Sequence, residues 1–129
     1  MSDRITATGR CECGSVTFEL RGELRNSVAC HCKQCRRTSG HYWSATQVDD
    51  AALHITNDST LKWYRSSDVA IRGFCNACGA SLFWRKDGEG RTSIGTGTLD
   101  DPTGIKTEKH IFTADKGDYY EIADNLPQL

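Results

Sequence analysis

The sequence predicts an all-β fold, a sandwich or barrel built from short strands. Apolar and polar residues alternate from Val16 to Arg21, the two-residue period of a strand with one solvated face. Runs of β-prone residues recur about every 8–12 residues, with turn-forming residues between them. No stretch shows a convincing apolar period of 3.6 residues. At 129 residues the chain is expected to form one domain over positions 1–129.

The elements follow from this pattern in chain order. The run at 41–46 is aromatic and β-prone, and the DGEG sequence at 87–90 is typical of a hairpin turn. Asn26 and Ser27 indicate a loop before the chain reaches the cysteines at 30–35. A short helical turn is predicted at 119–123. Strands are predicted at 4–9, 15–21, 41–46, 53–56, 61–65, 69–74, 80–85, 91–97 and 105–114.

Composition argues against two classes of partner. The formal charge is -1, whereas non-specific nucleic-acid binding needs clustered cations and usually a basic domain. No apolar run approaches the roughly 20 residues that span a bilayer. The chain begins MSDRI, without the apolar core of a secretory leader. We therefore expect a cytoplasmic protein that binds neither nucleic acid nor a membrane.

The seven cysteines are expected to bind metal. A disulfide framework prefers an even count and a secreted protein, and neither applies here. The spacings C-x-C, C-x-C-x-x-C and C-x-x-C are instead typical of turns that present thiolates to zinc. The cysteines thus divide into one set of four, in two separate pairs, and one set of three.

The set of four predicts a closed, structural zinc site. Its pairs are Cys11 with Cys13 and Cys75 with Cys78, and the last cysteine of each pair is followed by glycine. Glycine tolerates the positive φ that a tight cysteine turn often requires. Four thiolates complete the tetrahedron of a structural zinc, which here would connect the first strand to the middle of the chain. The alternative is that Cys11 or Cys13 packs as a small apolar residue.

The set of three predicts an open site. Three thiolates from Cys30, Cys32 and Cys35 leave one position of a tetrahedral zinc unfilled, which distinguishes a catalytic zinc from a structural one. A histidine could instead complete a structural site. His31 is expected to point away and His54 to lie on a strand surface, which leaves His41 and His110 as candidates. A thioredoxin-like role for Cys32 and Cys35 is weaker, because the βαβ pattern is missing.

These residues resemble the glutathione-dependent formaldehyde-activating enzyme family, which includes centromere-protein-V-like proteins. The resemblance implies a zinc-bearing β-sandwich of the Mss4-like type. The matching segments are GRCECGSV at 9–16, CHCKQCR at 30–36 with Gly40, FCNACG at 74–79, LFW at 82–84, GTLDDP at 97–102, HIF at 110–112 and LP at 126–127.

The resemblance also implies roles for the two sets. Cys11, Cys13, Cys75 and Cys78 match the ligands of the family's structural zinc, and Cys30, Cys32 and Cys35 match those of its catalytic zinc. Two zinc ions per chain are therefore expected, and the oligomeric state stays open. The family activity joins glutathione to formaldehyde and gives S-hydroxymethylglutathione, as a carbon–sulfur lyase does. A small-molecule thiol and an aldehyde are thus the expected partners.

Three cations follow the open set closely. Lys33, Arg36 and Arg37 are expected either to hold the carboxylates of glutathione or to form a solvated basic surface. Two other functions stay open at this point. One is a binding module with two structural zincs, and the other is a carrier that binds glutathione or zinc without turnover.

Overall fold

The structure is a computed structural model that describes residues 4–129. The prediction of a chain start without a leader rests in part on Met1–Asp3, which lie outside the described residues. The strands are β1 Ile5–Arg10, β2 Thr17–Arg21, β3 Ser27–Cys30, β4 Trp43–Asp49, β5 Leu53–Asn57, β6 Leu61–Arg65, β7 Ala70–Cys75, β8 Ser81–Lys86, β9 Arg91–Gly95 and β10 Thr107–Ile111, and the helix is α1 Lys33–Ser39.

The strands form two sheets, which confirms the prediction of a mainly β fold. The smaller sheet has the order β1-β2-β5, and the larger has the order β10-β3-β4-β9-β8-β7-β6. All neighbouring strands pair antiparallel except β10 and β3, which run parallel with Ile111 opposite Cys30. This one parallel pair places the end of β10 beside the cysteines at 30–35.

The core lies between the two sheets. Val16 together with Phe18 and Leu20 of β2 is fully buried, so the predicted alternation gives the inner face of the smaller sheet. Phe18 meets Phe83 of β8 edge-to-face, with ring centroids 5.4 Å apart. Cys11 and Cys75 belong to the same buried cluster. One set of cysteines is therefore attached to the core that joins the sheets.

Helix α1 and strand β3 were not predicted. Cys32 caps the start of α1, because its Sγ accepts a hydrogen bond from the backbone N–H of Cys35 at 3.3 Å. Gly40 ends the helix with φ of 87°. The seven-residue helix buries only Cys35, which is too little to create an apolar period. Strand β3 is buried on both faces, so it does not alternate.

Other predictions were wrong at their bounds. The predicted strand at 41–46 begins at Trp43, and the strand at 91–97 stops at Gly95, because residues 96–98 form a 3-10 turn. The predicted strand at 105–114 shortens to β10. Residues 119–123 form no helix. The carbonyl of Tyr120 accepts a hydrogen bond from Lys116 Nζ at 2.6 Å instead of a helical backbone hydrogen bond. Between residues 4 and 129, no helix is long and apolar enough to cross a bilayer.

Candidate metal centres

The two sets of cysteines predicted from spacing are brought together as two clusters. The four-thiol cluster contains Cys11, Cys13, Cys75 and Cys78, and the three-thiol cluster contains Cys30, Cys32 and Cys35. Within each cluster the sulfur atoms all lie within 4.8 Å of one another. The segments that form the first cluster are far apart in the sequence, so only the fold can assemble it.

The four-thiol cluster joins the two sheets. Cys11 directly follows β1 of the smaller sheet, and Cys75 ends β7 of the larger. In each half a glycine closes the cysteine turn: the N–H of Gly14 donates to the carbonyl of Cys11, and that of Gly79 to the carbonyl of Cys75. Both glycines have φ of 81°, as the sequence predicts for such turns.

The environment of this cluster favours thiolates at some positions. The hydroxyl of Thr60 lies 3.2 Å from Cys75 Sγ and lowers the pKa of Cys75 to about 6. A hydrogen bond with the Ser15 hydroxyl lowers the pKa of Cys13. Burial raises the pKa of Cys11, whose Sγ nevertheless accepts the Val16 N–H at 3.2 Å. Donors thus point at the sulfurs, as expected around a metal–thiolate centre.

The sulfur spacing fits zinc. A zinc–sulfur bond of about 2.3 Å places the sulfurs of a tetrahedron about 3.8 Å apart. The Sγ atoms of Cys11 and Cys13 are 3.7 Å apart, and those of Cys13 and Cys75 are also 3.7 Å apart. The donor set of this cluster therefore matches a closed zinc site.

The three-thiol cluster is held by a strand end and a helix start. Cys30 is the last residue of β3, Cys32 caps α1, and Cys35 is buried in the first turn of that helix. The hydroxyl of Ser39 donates to the Cys35 carbonyl at 2.8 Å and fixes the other end of the helix. The end of β3 and the start of α1 thus bring the sulfurs of Cys30, Cys32 and Cys35 close together.

A buried arginine that was not predicted from the sequence accompanies this cluster. Arg72 of β7 is only 6% exposed. Its Nε donates to Gln34 Oε1 at 2.8 Å, and its Nη2 lies 3.4 Å from Cys35 Sγ. The guanidinium carbon also lies 5.5 Å from the ring centroid of Trp43. The one available signal was an arginine within a strand that ends at a cysteine.

Arg72 and Cys30 favour the thiolate form of Cys35. Hydrogen bonds from Cys30 and from the Arg72 guanidinium lower the pKa of Cys35 to about 6. The bond to Cys35 and burial raise the pKa of Cys30 above its ordinary value. Thiolates repel one another in a buried cluster, so a fixed cation reduces the cost of bringing negative charge there.

We predict that Arg72→Leu weakens metal binding at the three-thiol cluster by about 10- to 100-fold, the usual effect of losing a partner of a metal ligand. Competition with a chromophoric chelator measures this affinity. The matched control is Arg85→Leu. Arg85 also stacks its guanidinium on a tryptophan, at 4.7 Å from the ring centroid of Trp63, and it lies outside both clusters. Equal affinities in the two variants would contradict a role for Arg72.

A cleft of about 320 Å³ opens onto the three-thiol cluster. Trp43 and Trp84 pack against the cysteines at its inner end. Among the described residues that line it, the only charged side chains besides the thiols are Arg25 and Arg72. The lining consists of Arg25, Val28, Cys30, Cys32, Gln34, Cys35, Trp43, Ala45, Gln47, Ser67, Arg72, Trp84, Ser93, Ile111 and Phe112.

The predicted cations of α1 lie outside this lining. Lys33 and Arg37 are exposed and Arg36 is half-buried, on a helix whose first turn faces the cleft only through Gln34 and Cys35. The cleft cations Arg25 and Arg72 come instead from a loop and from β7. A contact between glutathione and the α1 cations therefore stays a prediction.

No histidine of the described residues belongs to either cluster, so the structure gives no support to a histidine-completed site. His31 is fully buried, and its Nε2 shares a hydrogen bond with His110 Nδ1 at 2.8 Å. His110 Nε2 in turn meets the Asp124 carboxylate at 2.9 Å. His41 pairs with the Tyr119 hydroxyl at 3.0 Å.

The buried histidines position the loop between the thiols. The second ring nitrogen of His31, Nδ1, meets the Tyr120 hydroxyl at 2.5 Å, and the backbone N–H of His31 donates to the Ile111 carbonyl at 3.0 Å. Burial lowers the pKa of His31, and the bond from His110 lowers the pKa of Asp124. Both ring nitrogens of His31 are engaged, so this residue orients Cys30 and Cys32 without binding metal itself.

Fold and clusters together define a class: a two-sheet β protein with one four-thiol and one three-thiol cluster, each able to hold a metal ion. The chain belongs to the glutathione-dependent formaldehyde-activating enzyme family, whose sequence model matches residues 6–115.

Curated relatives support this membership at low identity. An uncharacterized lyase of Schizosaccharomyces pombe is 26% identical over 117 residues, which are 90% of this chain and 85% of the relative. A putative glutathione-dependent formaldehyde-activating enzyme of Colletotrichum graminicola is 29% identical over 90 residues, which are 60% of this chain and 43% of the relative. The chain thus matches less than half the length of the second relative. These names support a lyase-type activity within the family.

A solved structure supports the fold. A Rhodobacter sphaeroides protein, a structural genomics target, superposes with a TM-score of 0.63 at 22% identity. The superposition covers 95% of this chain and 99% of that protein. At this identity the likeness shows the shared fold alone.

Proposed function

We propose that the protein is a zinc-dependent, carbon–sulfur lyase-type enzyme that acts on a thiol and a small aldehyde. Glutathione and formaldehyde are the pair that the family name suggests. The observation that supports this most directly is a three-thiol cluster that opens onto a cleft, in a chain that holds a separate four-thiol cluster. A structural zinc site has four protein ligands, whereas a catalytic zinc site has three and keeps one coordination position open.

The two clusters take different roles in this proposal. Cys11, Cys13, Cys75 and Cys78 hold a structural zinc, and Cys30, Cys32 and Cys35 hold the catalytic one. A zinc ion held by Cys30, Cys32 and Cys35 would supply a free coordination position and the Lewis acidity that lowers the pKa of a substrate thiol. Arg72 offsets the negative charge that collects there, and Gln34 holds Arg72 in place.

The proposed reaction adds the thiol to the aldehyde carbon. One carbon–sulfur bond forms, the carbonyl π bond breaks, and the proton lost by the thiol ends on the carbonyl oxygen. No oxidant or reductant is required. Trp43 and Trp84 pack against the cysteines and give this part of the cleft an apolar wall. The proposed contacts for the carboxylates of a bound glutathione are the α1 cations Lys33, Arg36 and Arg37.

We expect protein loaded with two zinc ions to accelerate adduct formation from glutathione and formaldehyde. The rate should exceed the spontaneous rate by at least about tenfold at equal reactant concentrations, a modest factor for an enzyme. Exchange spectroscopy by NMR, with ¹³C-formaldehyde, measures both rates in one sample. The control is the same protein with Cys32 replaced by serine.

Two other outcomes distinguish the alternatives. Glutathione that binds with no rate increase would point to a carrier rather than an enzyme. Fully loaded protein that neither binds glutathione nor changes the rate would contradict thiol chemistry at this cluster and favour a binding module with two structural metals.

A further inference from the structure

The cleft beside the three-thiol cluster is built for an apolar group. Most of its wall comes from apolar side chains, and these include Trp43, Trp84, Ile111 and Phe112. No acidic residue contributes to the described lining, so the ammonium of a bound peptide would find no carboxylate there. The polar character of the lining is limited and comes mainly from amides, hydroxyls and two arginines.

The two arginines of the lining are already engaged. Arg25 donates from Nη2 to the Ala45 carbonyl at 2.8 Å and from Nε to the Asn26 carbonyl at 3.2 Å. Arg72 contacts Gln34 and Cys35, as described above. A ligand with several charges would therefore gain few new contacts inside the cleft, whereas an apolar group would gain contact with the aromatic rings.

Phe112 shows an independent sign of ligand contact. Its backbone is left-handed, with φ of 53° and ψ of 39°, and its side chain is 57% exposed. A bulky residue rarely adopts this conformation, and such strain concentrates at ligand-binding sites. Phe112 thus combines a strained backbone with an exposed phenyl ring at the cleft wall, as expected of a residue that contacts a ligand.

The surrounding backbone keeps Phe112 in place. Ile111 lies opposite Cys30 in the β10–β3 pair, and its carbonyl accepts the His31 N–H at 3.0 Å. On the other side, the N–H of Thr113 donates to the Leu129 carbonyl at 3.1 Å. The backbone at Phe112 is therefore held beside the three-thiol cluster, which keeps the side chain at the cleft.

The size of the cleft points the same way. At about 320 Å³ it lies at the lower end of the range for small-molecule pockets, roughly 300–1,000 Å³. The single carbon and oxygen of formaldehyde would leave its aromatic walls without contact. A phenyl-sized group next to the reacting sulfur would cover them.

We propose that the thiol–aldehyde adduct formed at the three-thiol cluster carries an apolar, aromatic-sized group that packs against Trp43, Trp84 and Phe112. This inference rests on the proposed thiol–aldehyde chemistry and names its substrate class. The apolar group can belong to the thiol or to the aldehyde, and the bond changes are those given above in either case.

The test compares matched ligands by calorimetry, with protein verified to hold two zinc ions. In the thiol arm, benzyl mercaptan is compared with 2-mercaptoethanol. In the aldehyde arm, 2-mercaptoethanol is titrated in the presence of phenylacetaldehyde or of formaldehyde. We expect the phenyl-bearing ligand to bind at least about tenfold more tightly in one arm, as burial of a phenyl ring predicts, and that arm identifies the source of the group.

Phe112→Gly is the informative variant. Glycine accepts a φ of 53° without strain, so the fold should persist while the ring contact is lost. The ratio of the affinity for the phenyl-bearing ligand to the affinity for 2-mercaptoethanol should fall several-fold. The control is Tyr119→Ala, because Tyr119 is also 57% exposed but does not line the cleft.

The outcomes separate the two levels of the argument. Binding of thiols without any preference for a phenyl group in either arm would overturn this inference and leave the proposed thiol chemistry intact. A preference that Phe112→Gly does not reduce would also overturn it. If no thiol binds to fully loaded protein, the proposed function fails, and this inference fails with it.

Discussion

Cys75→Ser should lose one of the two metal ions and lower the free energy of unfolding by about 3 kcal/mol or more. Metal affinity that exists only in the folded chain adds to folding stability, and structural zinc sites in short peptides contribute roughly 10–16 kcal/mol. Cys75 is fully buried in the core cluster that joins the sheets, so its loss removes a link as well as a ligand. Metal analysis and urea unfolding measure the two effects.

The control for this variant is Thr60→Val. It removes the hydroxyl that contacts Cys75 Sγ but leaves the four thiols in place. Two ions should remain, with a loss of about 1 kcal/mol, typical of one hydrogen bond. If Cys75→Ser kept two ions and full stability, the four-thiol cluster would have no structural role.

Cys32→Ser should lose the other ion and all thiol binding, yet lower the free energy of unfolding by only about 1 kcal/mol. Serine at this position can still cap α1, because its hydroxyl can accept the Cys35 N–H that Cys32 Sγ accepts now. The remaining thiols of the motif are close in sequence, so the unfolded chain also retains affinity for metal. That affinity reduces the stabilising effect of the ion on the folded state.

Two comparisons make the Cys32→Ser experiment decisive. Cys32→Ala should lose the same ion and about 1 kcal/mol more, because alanine cannot cap the helix. Calorimetric titration with a thiol reports the loss of binding in both variants. If Cys32→Ser and Cys75→Ser each lost all metal and unfolded alike, the division into a structural and a reactive cluster would be wrong.

The sequence predicted what depends on neighbours along the chain. The alternation of Val16, Phe18 and Leu20 predicted the inner face of β2, because a strand repeats every two residues. The cysteine spacings predicted both clusters, since the chemistry of thiolates limits what such spacings can do. Gly14 and Gly79 were expected to adopt positive φ, because each directly follows the last cysteine of a tight turn.

What the sequence did not predict depends on distant contacts. Arg72 is an ordinary strand residue until α1 is placed against β7, which brings Gln34 and Cys35 to its guanidinium. Trp43, Trp84 and Phe112 come from three separate segments, so no local pattern marks them as one wall. Helix α1 was not predicted because its N-cap residue is Cys32, and cysteine is not among the usual capping residues.

The position of the four-thiol cluster between the sheets has a kinetic consequence. Its cysteines come from the turn after β1, the end of β7 and the turn after β7, so a metal ion bound to all four sulfurs would link the two sheets. Under the proposed function, we expect full release of that ion to be slow and to depend on opening of the sheets. The three-thiol cluster draws its sulfurs from one short segment beside an open cleft. A metal ion bound there would exchange through the cleft without unfolding, so we expect metal exchange at the two sites to follow separate timescales.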